Sequence, residues 1–136
     1  MVLNFKNISL KKVFNCSIMQ SKGRIMERVD KINYYLDIAE AVAERGTCIR
    51  NNYGSVIVKN DEIISTGYTG APRGRKNCID LGYCKRKKMN VPSGMGYELC
   101  RSVHSEQNAI ISASRKDMLN ATLYLVGVRK ETGNYV

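Results

Sequence analysis

The only histidine in the chain, His104, stands two places before Glu106 in the stretch CRSVHSEQNAIISASR, residues 100–115. A neutral imidazole can ligate a metal, and an unligated carboxylate beside it can move the protons of a bound water, which is the equipment of metal-assisted hydrolysis. Residues two apart do not share a face of a regular helix. His104 and Glu106 can therefore converge only at a helix's first turn, where exposed N–H groups and the positive dipole end also favour a bound hydroxide or thiolate. The plainer alternative is a structural histidine at a helix start.

Four cysteines could join them: Cys48, Cys78, Cys84 and Cys100. The chain has five cysteines, an odd number, and its first residues lack the h-region and cleavage site of a secretory signal. Both facts argue against a disulfide framework and for reduced thiols or metal ligands in a cytoplasmic protein. Spare thiols packed as small hydrophobes are the competing reading. Cys16 has no assigned role.

The elements that must position these groups can be read from periodicity. In residues 27–45 apolar side chains fall at Val29, Ile32, Leu36, Ala39 and Ala43, the spacing of one buried helical face, and Gly46 supplies a stop. YGSVIV and EIISTGY flank Lys59, Asn60 and Asp61, which predicts two strands joined by a tight turn. Residues 69–100 carry Gly70, Pro72, Gly74, Gly82, Pro92, Gly94 and Gly96 with little periodicity, so a long loop is expected, functional or tied down. A second helix is expected over residues 104–115, followed by a strand at ATLYLVGV that a crossover would make parallel to one hairpin strand. In an antiparallel hairpin the start of the first strand and the end of the second share one end of the sheet. Cys48, Cys78, Cys84 and Cys100 could then gather near one another.

Composition narrows the function classes. With 136 residues and 43% hydrophobic content the chain is one domain with a globular core, and no apolar run approaches the roughly 18 residues of a membrane span. The net charge of +10 suggests nucleic acid until it is divided: Lys6, Lys11, Lys12, Lys22 and Arg24 stand in residues 1–25 without an acid. That segment reads as a basic, disordered leader, with Met26 as the natural start of the domain, residues 26–136. No aromatic-basic interleaving marks a nucleic-acid module.

H-x-E followed later by P-C-x-x-C is the signature of zinc deaminases that act on nucleobases. Two segments, YGSVIVKNDEIISTGYTGAPRG and CRSVHSEQNAIISASR, with the long loop between them, closely resemble the zinc-dependent deoxycytidylate deaminases of the cytidine deaminase superfamily. The resemblance covers residues 26–136. It implies an α/β fold, a three-layer α-β-α sandwich, with Zn2+ on His104 and Glu106 as proton shuttle. The implied reaction is hydrolytic loss of ammonia from C4 of deoxycytidine monophosphate (dCMP), giving deoxyuridine monophosphate (dUMP). It further implies a homo-oligomer, and a second, structural zinc such as some phage and bacterial members carry, here on Cys48, Cys78, Cys84 and Cys100.

Thr69 stands where many family members have a substrate-binding asparagine, and its hydroxyl can still make one hydrogen bond to the substrate. For the phosphate, Arg50 and Arg73 are favoured over the CKRKK run, residues 84–88, which is read as a solvated face. P-C-x-x-C is absent from the 136 residues. Residues 1–136 by themselves are therefore expected to be inactive, with the fold truncated after the third strand and that strand's apolar edge unpaired. A non-catalytic nucleotide-binding or regulatory remnant of the same family is the alternative function.

Overall fold

The computed structural model describes residues 2–4 and 28–136. Helix α1 spans Lys31–Glu44. Asp30 caps it by accepting from the Ile32 and Asn33 amides at 3.0 and 3.1 Å, which satisfies two of the donors a helix start leaves open. Its core face is Tyr35, Ala39 and Ala43, while Val29 and Ile32, expected inside, are about half exposed. The apolar periodicity is sound, but the helix starts later than it suggests and Tyr35 takes the core position.

Strands β2 (Asn51–Lys59) and β3 (Glu62–Tyr68) form the expected hairpin. Asn60 and Asp61 turn the chain with φ of 50° and 68°, left-handed values that asparagine and aspartate tolerate better than most residues. The Tyr35 hydroxyl donates to Asp61 Oδ1 at 2.7 Å, fastening the turn to α1.

Residues 69–100 hold more structure than the glycines suggest. The segment contains α2 (Cys78–Leu81), α3 (Lys85–Lys88) and a single 3-10 turn, Tyr97–Leu99. Asn77 ties it down: its Oδ1 accepts from the Thr47 hydroxyl at 2.9 Å and the Ala71 amide at 3.2 Å. Helix α4 then spans Ser105–Ile111, shorter than expected because Ser112 ends it and Ser114 caps a separate α5, Arg115–Met118.

Strand β4 (Thr122–Arg129) pairs antiparallel with β2, and β1 (Val2–Asn4) pairs antiparallel with β4, giving the order β1-β4-β2-β3. β4 therefore runs parallel to β3, as the crossover through α4 requires, but β2 lies between them. Of the segment read as a leader, Val2–Asn4 form a strand and residues 5–27 lie outside the described residues. One expectation is corrected: the outer edge of β4 is not left wholly unpaired. Val2 to Asn4 sit opposite Tyr124 to Thr122, and farther along the Val136 amide donates to Gly127 O at 2.9 Å.

The sheet is covered on both faces. Tyr35 and Ala39 of α1 pack with Val56, Val58 and Tyr124, while Ala109 of α4 packs with Ile57, Leu123 and Leu125. Alternate residues of β2 thus feed opposite cores, as the pleat dictates. This is the three-layer α-β-α sandwich. Among the described residues no helix is long and apolar enough to cross a membrane.

Two glycines set how closely the helices lie on the sheet. A Cβ on Gly54 would strike Ala39 O and Ala43 N of α1, and one on Gly67 would strike Ser105 O and Ala109 N of α4. In both places the obstacle is helix backbone, which cannot swing aside. Gly67→Ala should destabilise the fold by about 3 kcal/mol, the upper part of the usual cost of overpacking. It should also displace the first turn of α4. Chemical denaturation measures the first effect, and an unchanged midpoint would contradict this packing.

Candidate active site

The first turn of α4 is fixed to the sheet by backbone and side-chain contacts on either side of His104. Before it, Val103 and Gly70 exchange backbone hydrogen bonds of 2.8 and 3.3 Å. After it, Asn108 Nδ2 donates to Tyr68 O at 2.8 Å, and Ser65 Oγ donates to Ala109 O at 2.8 Å. His104 is the residue preceding the helix, extended at φ −63° and ψ 148°. The chain therefore turns into the helix at the point where His104 and Glu106 can face the same space.

They do. A cavity of about 300 Å³ is lined by both, together with Thr69 and Arg50. Cys48, Cys84 and Cys100 line it as well. Cys78 does not; it is buried, with its Sγ 3.4 Å from the Ser102 hydroxyl. Burial pushes the Cys100 thiol above its usual range, and the neighbouring Arg86 opposes that rise by hydrogen bond and charge. Arg73 lies on an exposed turn outside the lining.

Thr69 is placed at the cavity but its hydroxyl is committed to the backbone. Its Oγ1 accepts from the Tyr53 amide at 3.0 Å and lies 3.4 Å from Tyr53 O, and the residue is 8% exposed. Joining the ends of β2 and β3 occupies the group that was expected to meet the substrate.

Arg86 went unrecognised in the sequence. It belongs to the CKRKK run, yet it is 5% exposed, its guanidinium lies 4.2 Å over the Tyr97 ring, and Nη2 donates to Pro92 O at 3.2 Å. Its Nε is buried without a hydrogen-bond partner. Tyr97 in turn packs against His104, ring centroids 5.7 Å apart. A basic run gives no local sign of which member turns inward; only the return of the chain at Tyr97 makes a place for one. Tyr53 also lines the cavity, and burial raises its phenol above the ordinary range, with Tyr97 and Glu106 adding to the effect.

The donor types around the cavity suit zinc, which takes imidazole and thiolate. Their arrangement does not yet make a site: among the described residues no group of three or more His, Cys, Asp or Glu is placed to hold a metal ion. His104 stands as a single ligand.

The chain is similar to known proteins. The family model described as the cytidine and deoxycytidylate deaminase zinc-binding region matches residues 29–129. The deoxycytidylate deaminase of Mycobacterium phage D29 is 38% identical over 105 residues, which cover 74% of this chain and 80% of that protein. The deoxycytidylate deaminase of Schizosaccharomyces pombe is 36% identical over 93 residues, 68% of this chain but 29% of the yeast protein. The apo crystal structure of the dCMP deaminase of cyanophage S-TIM5 aligns at a TM-score of 0.40 and 24% identity, covering 60% of this chain and 51% of that one.

The commitment of Thr69 to the backbone can be tested directly. Thr69→Val leaves the part-buried Tyr53 amide without its side-chain acceptor and should cost about 1 kcal/mol of stability, while Thr69→Ser should restore most of it. Unfolding midpoints measure both. Unchanged stability in the valine variant would contradict the structural role.

Proposed function

From its membership of the cytidine and deoxycytidylate deaminase family, to which this chain belongs, we propose that the protein hydrolyses dCMP to dUMP and ammonia. The observation that carries the reading is that His104 and Glu106 open from the first turn of α4 onto one cavity that Arg50 and Arg86 also line. A carboxylate at a helix N-terminus, beside a cavity with buried positive charge, suits an anionic substrate that must exchange protons as it reacts.

Glu106 serves both halves of the reaction. Its carboxylate takes a proton from the water that attacks C4 and delivers it to N3, giving a tetrahedral centre. It then carries the second proton of that water to the exocyclic nitrogen, the C4–N bond breaks, and ammonia leaves as the C4 carbonyl forms. One water is consumed, and Glu106 ends as it began. Arg50 and Arg86 supply the charge that attracts the phosphate, in place of the exposed Arg73. Zinc held on His104 would acidify the attacking water; among the described residues no second and third ligand is gathered about His104.

Cys48, Cys84 and Cys100 share the cavity wall but, among the described residues, are not gathered closely enough to hold a metal ion; as a separate candidate for structural zinc they would have to close about it. Cys78 would have to leave Ser102 to join them as a fourth ligand. Zinc content separates the two sites. Metal that survives His104→Ala but is lost in Cys84→Ser belongs to the thiolates; metal lost in His104→Ala and retained in Cys84→Ser would remove the cysteine site.

Catalysis is tested by ammonia release from dCMP in the native gene product supplied with zinc. Glu106→Gln fills the same space but cannot carry a proton, so it should lose at least the roughly 10²- to 10⁴-fold that general acid-base help is usually worth, while keeping its fold. Turnover persisting in the glutamine variant would exclude Glu106 from the proton transfers, and no release from the wild type would refute the reaction itself.

A further inference from the structure

A line of three side chains runs from the middle of the sheet to Glu106. Ser55 of β2 and Ser105 of α4 are both fully buried, and their hydroxyl oxygens lie 2.7 Å apart. Ser105 Oγ donates to Glu106 Oε2 at 2.9 Å. A hydroxyl has one proton to give. Since Ser105 gives its proton to the carboxylate, it must accept from Ser55, and the donors all point one way, from Ser55 to Ser105 to Glu106.

Packing does not call for these hydroxyls. Ser105 enters the face of the sheet that Ala109, Ile57 and Leu123 fill with hydrocarbon, and it is fully buried there. Alanine would fill that place without a polar atom. A buried hydroxyl is costly unless its hydrogen bonds are made, and here the bonds are made by directing both serines toward one carboxylate. The same contact fixes Glu106 by Oε2 alone.

We propose that Ser55 and Ser105 are positioning residues for Glu106. Ser105 holds the carboxylate by one oxygen, so that the other is presented to the cavity, and Ser55 fixes the rotor of Ser105. This deepens the reading of Glu106 as proton carrier and rests on it. A group oriented in this way lowers the barrier without adding contacts to the substrate, so its loss belongs in kcat and not in KM.

The experiment has two arms. In protein labelled with ¹³C at glutamate carboxyls, the Glu106 resonance is assigned by its disappearance in Glu106→Gln. Ser105→Ala should move that resonance, and Ser55→Ala should move it less. In the second arm, Ser105→Ala should lower kcat for dCMP roughly 10- to 100-fold, the worth of a hydrogen bond to a charged group, with KM unchanged. Ser55→Ala combined with Ser105→Ala should be no slower than Ser105→Ala alone, since the line is already cut at its last link. An unmoved resonance with unchanged kcat in Ser105→Ala would overturn the proposal, as would a kcat loss with the resonance unmoved. Should Ser105→Ala fail to fold, Ser55→Ala carries the same test, because it leaves Ser105 in place without its donor. If the wild type released no ammonia from dCMP, the reaction would be refuted while the resonance still decided whether the serines hold Glu106.

Discussion

The site depends on how closely the first turn of α4 lies on the sheet. That distance is set where a side chain is missing: at Gly67 the helix backbone at Ser105 and Ala109 occupies the space a Cβ would need. The close contact brings Ser105 within hydrogen-bonding reach of Ser55, at 2.7 Å. It also lets Asn108 and Ser65 join the helix to β3 and its end. His104 and Glu106 project from a turn held at several points, and such anchoring is what a reacting group needs in order to keep its geometry. Gly54 plays the same part for α1 on the opposite face. The two helices thus grip the β2–β3 hairpin from both sides, and the cavity opens at one end of it.

Much of this was legible in the residues. The β2–β3 hairpin follows from two β-branched runs around Asn60 and Asp61, because only a few residues tolerate the left-handed turn between them. The convergence of His104 and Glu106 follows from their spacing, once the helix is recognised to begin between them. What escaped was contact made across long stretches of chain. Arg86 looks like its lysine neighbours in sequence, and becomes a buried cation only because residues 92–97 fold back to supply Pro92 O and the Tyr97 ring. Thr69 reads as a substrate group by its place in the motif, but the end of β2 claims its hydroxyl. Ser105 stands in sequence only as the residue between two more reactive ones. Its meaning lies in Ser55, fifty positions away.

Charge divides the cavity. His104 and Glu106 occupy the α4 side, and the thiols of Cys84 and Cys100 come from the long connection with Arg86 between them in sequence. A permanently charged guanidinium with a free Nε in a buried place calls for an anion nearby. A thiolate or a nucleotide phosphate would each meet that need. The same argument explains why Arg73, exposed on its turn, has no comparable pull toward the site.

On the proposed function, the first turn of α4 presents Glu106 to the reacting edge of a pyrimidine nucleotide. The most direct measurement is a crystal structure of the native gene product with zinc and dUMP bound. The base N3–H should donate to the Glu106 oxygen that Ser105 does not hold, with the phosphate toward Arg50 and Arg86. A nucleotide bound outside this cavity, or one whose base turns its C4 edge away from Glu106, would contradict it.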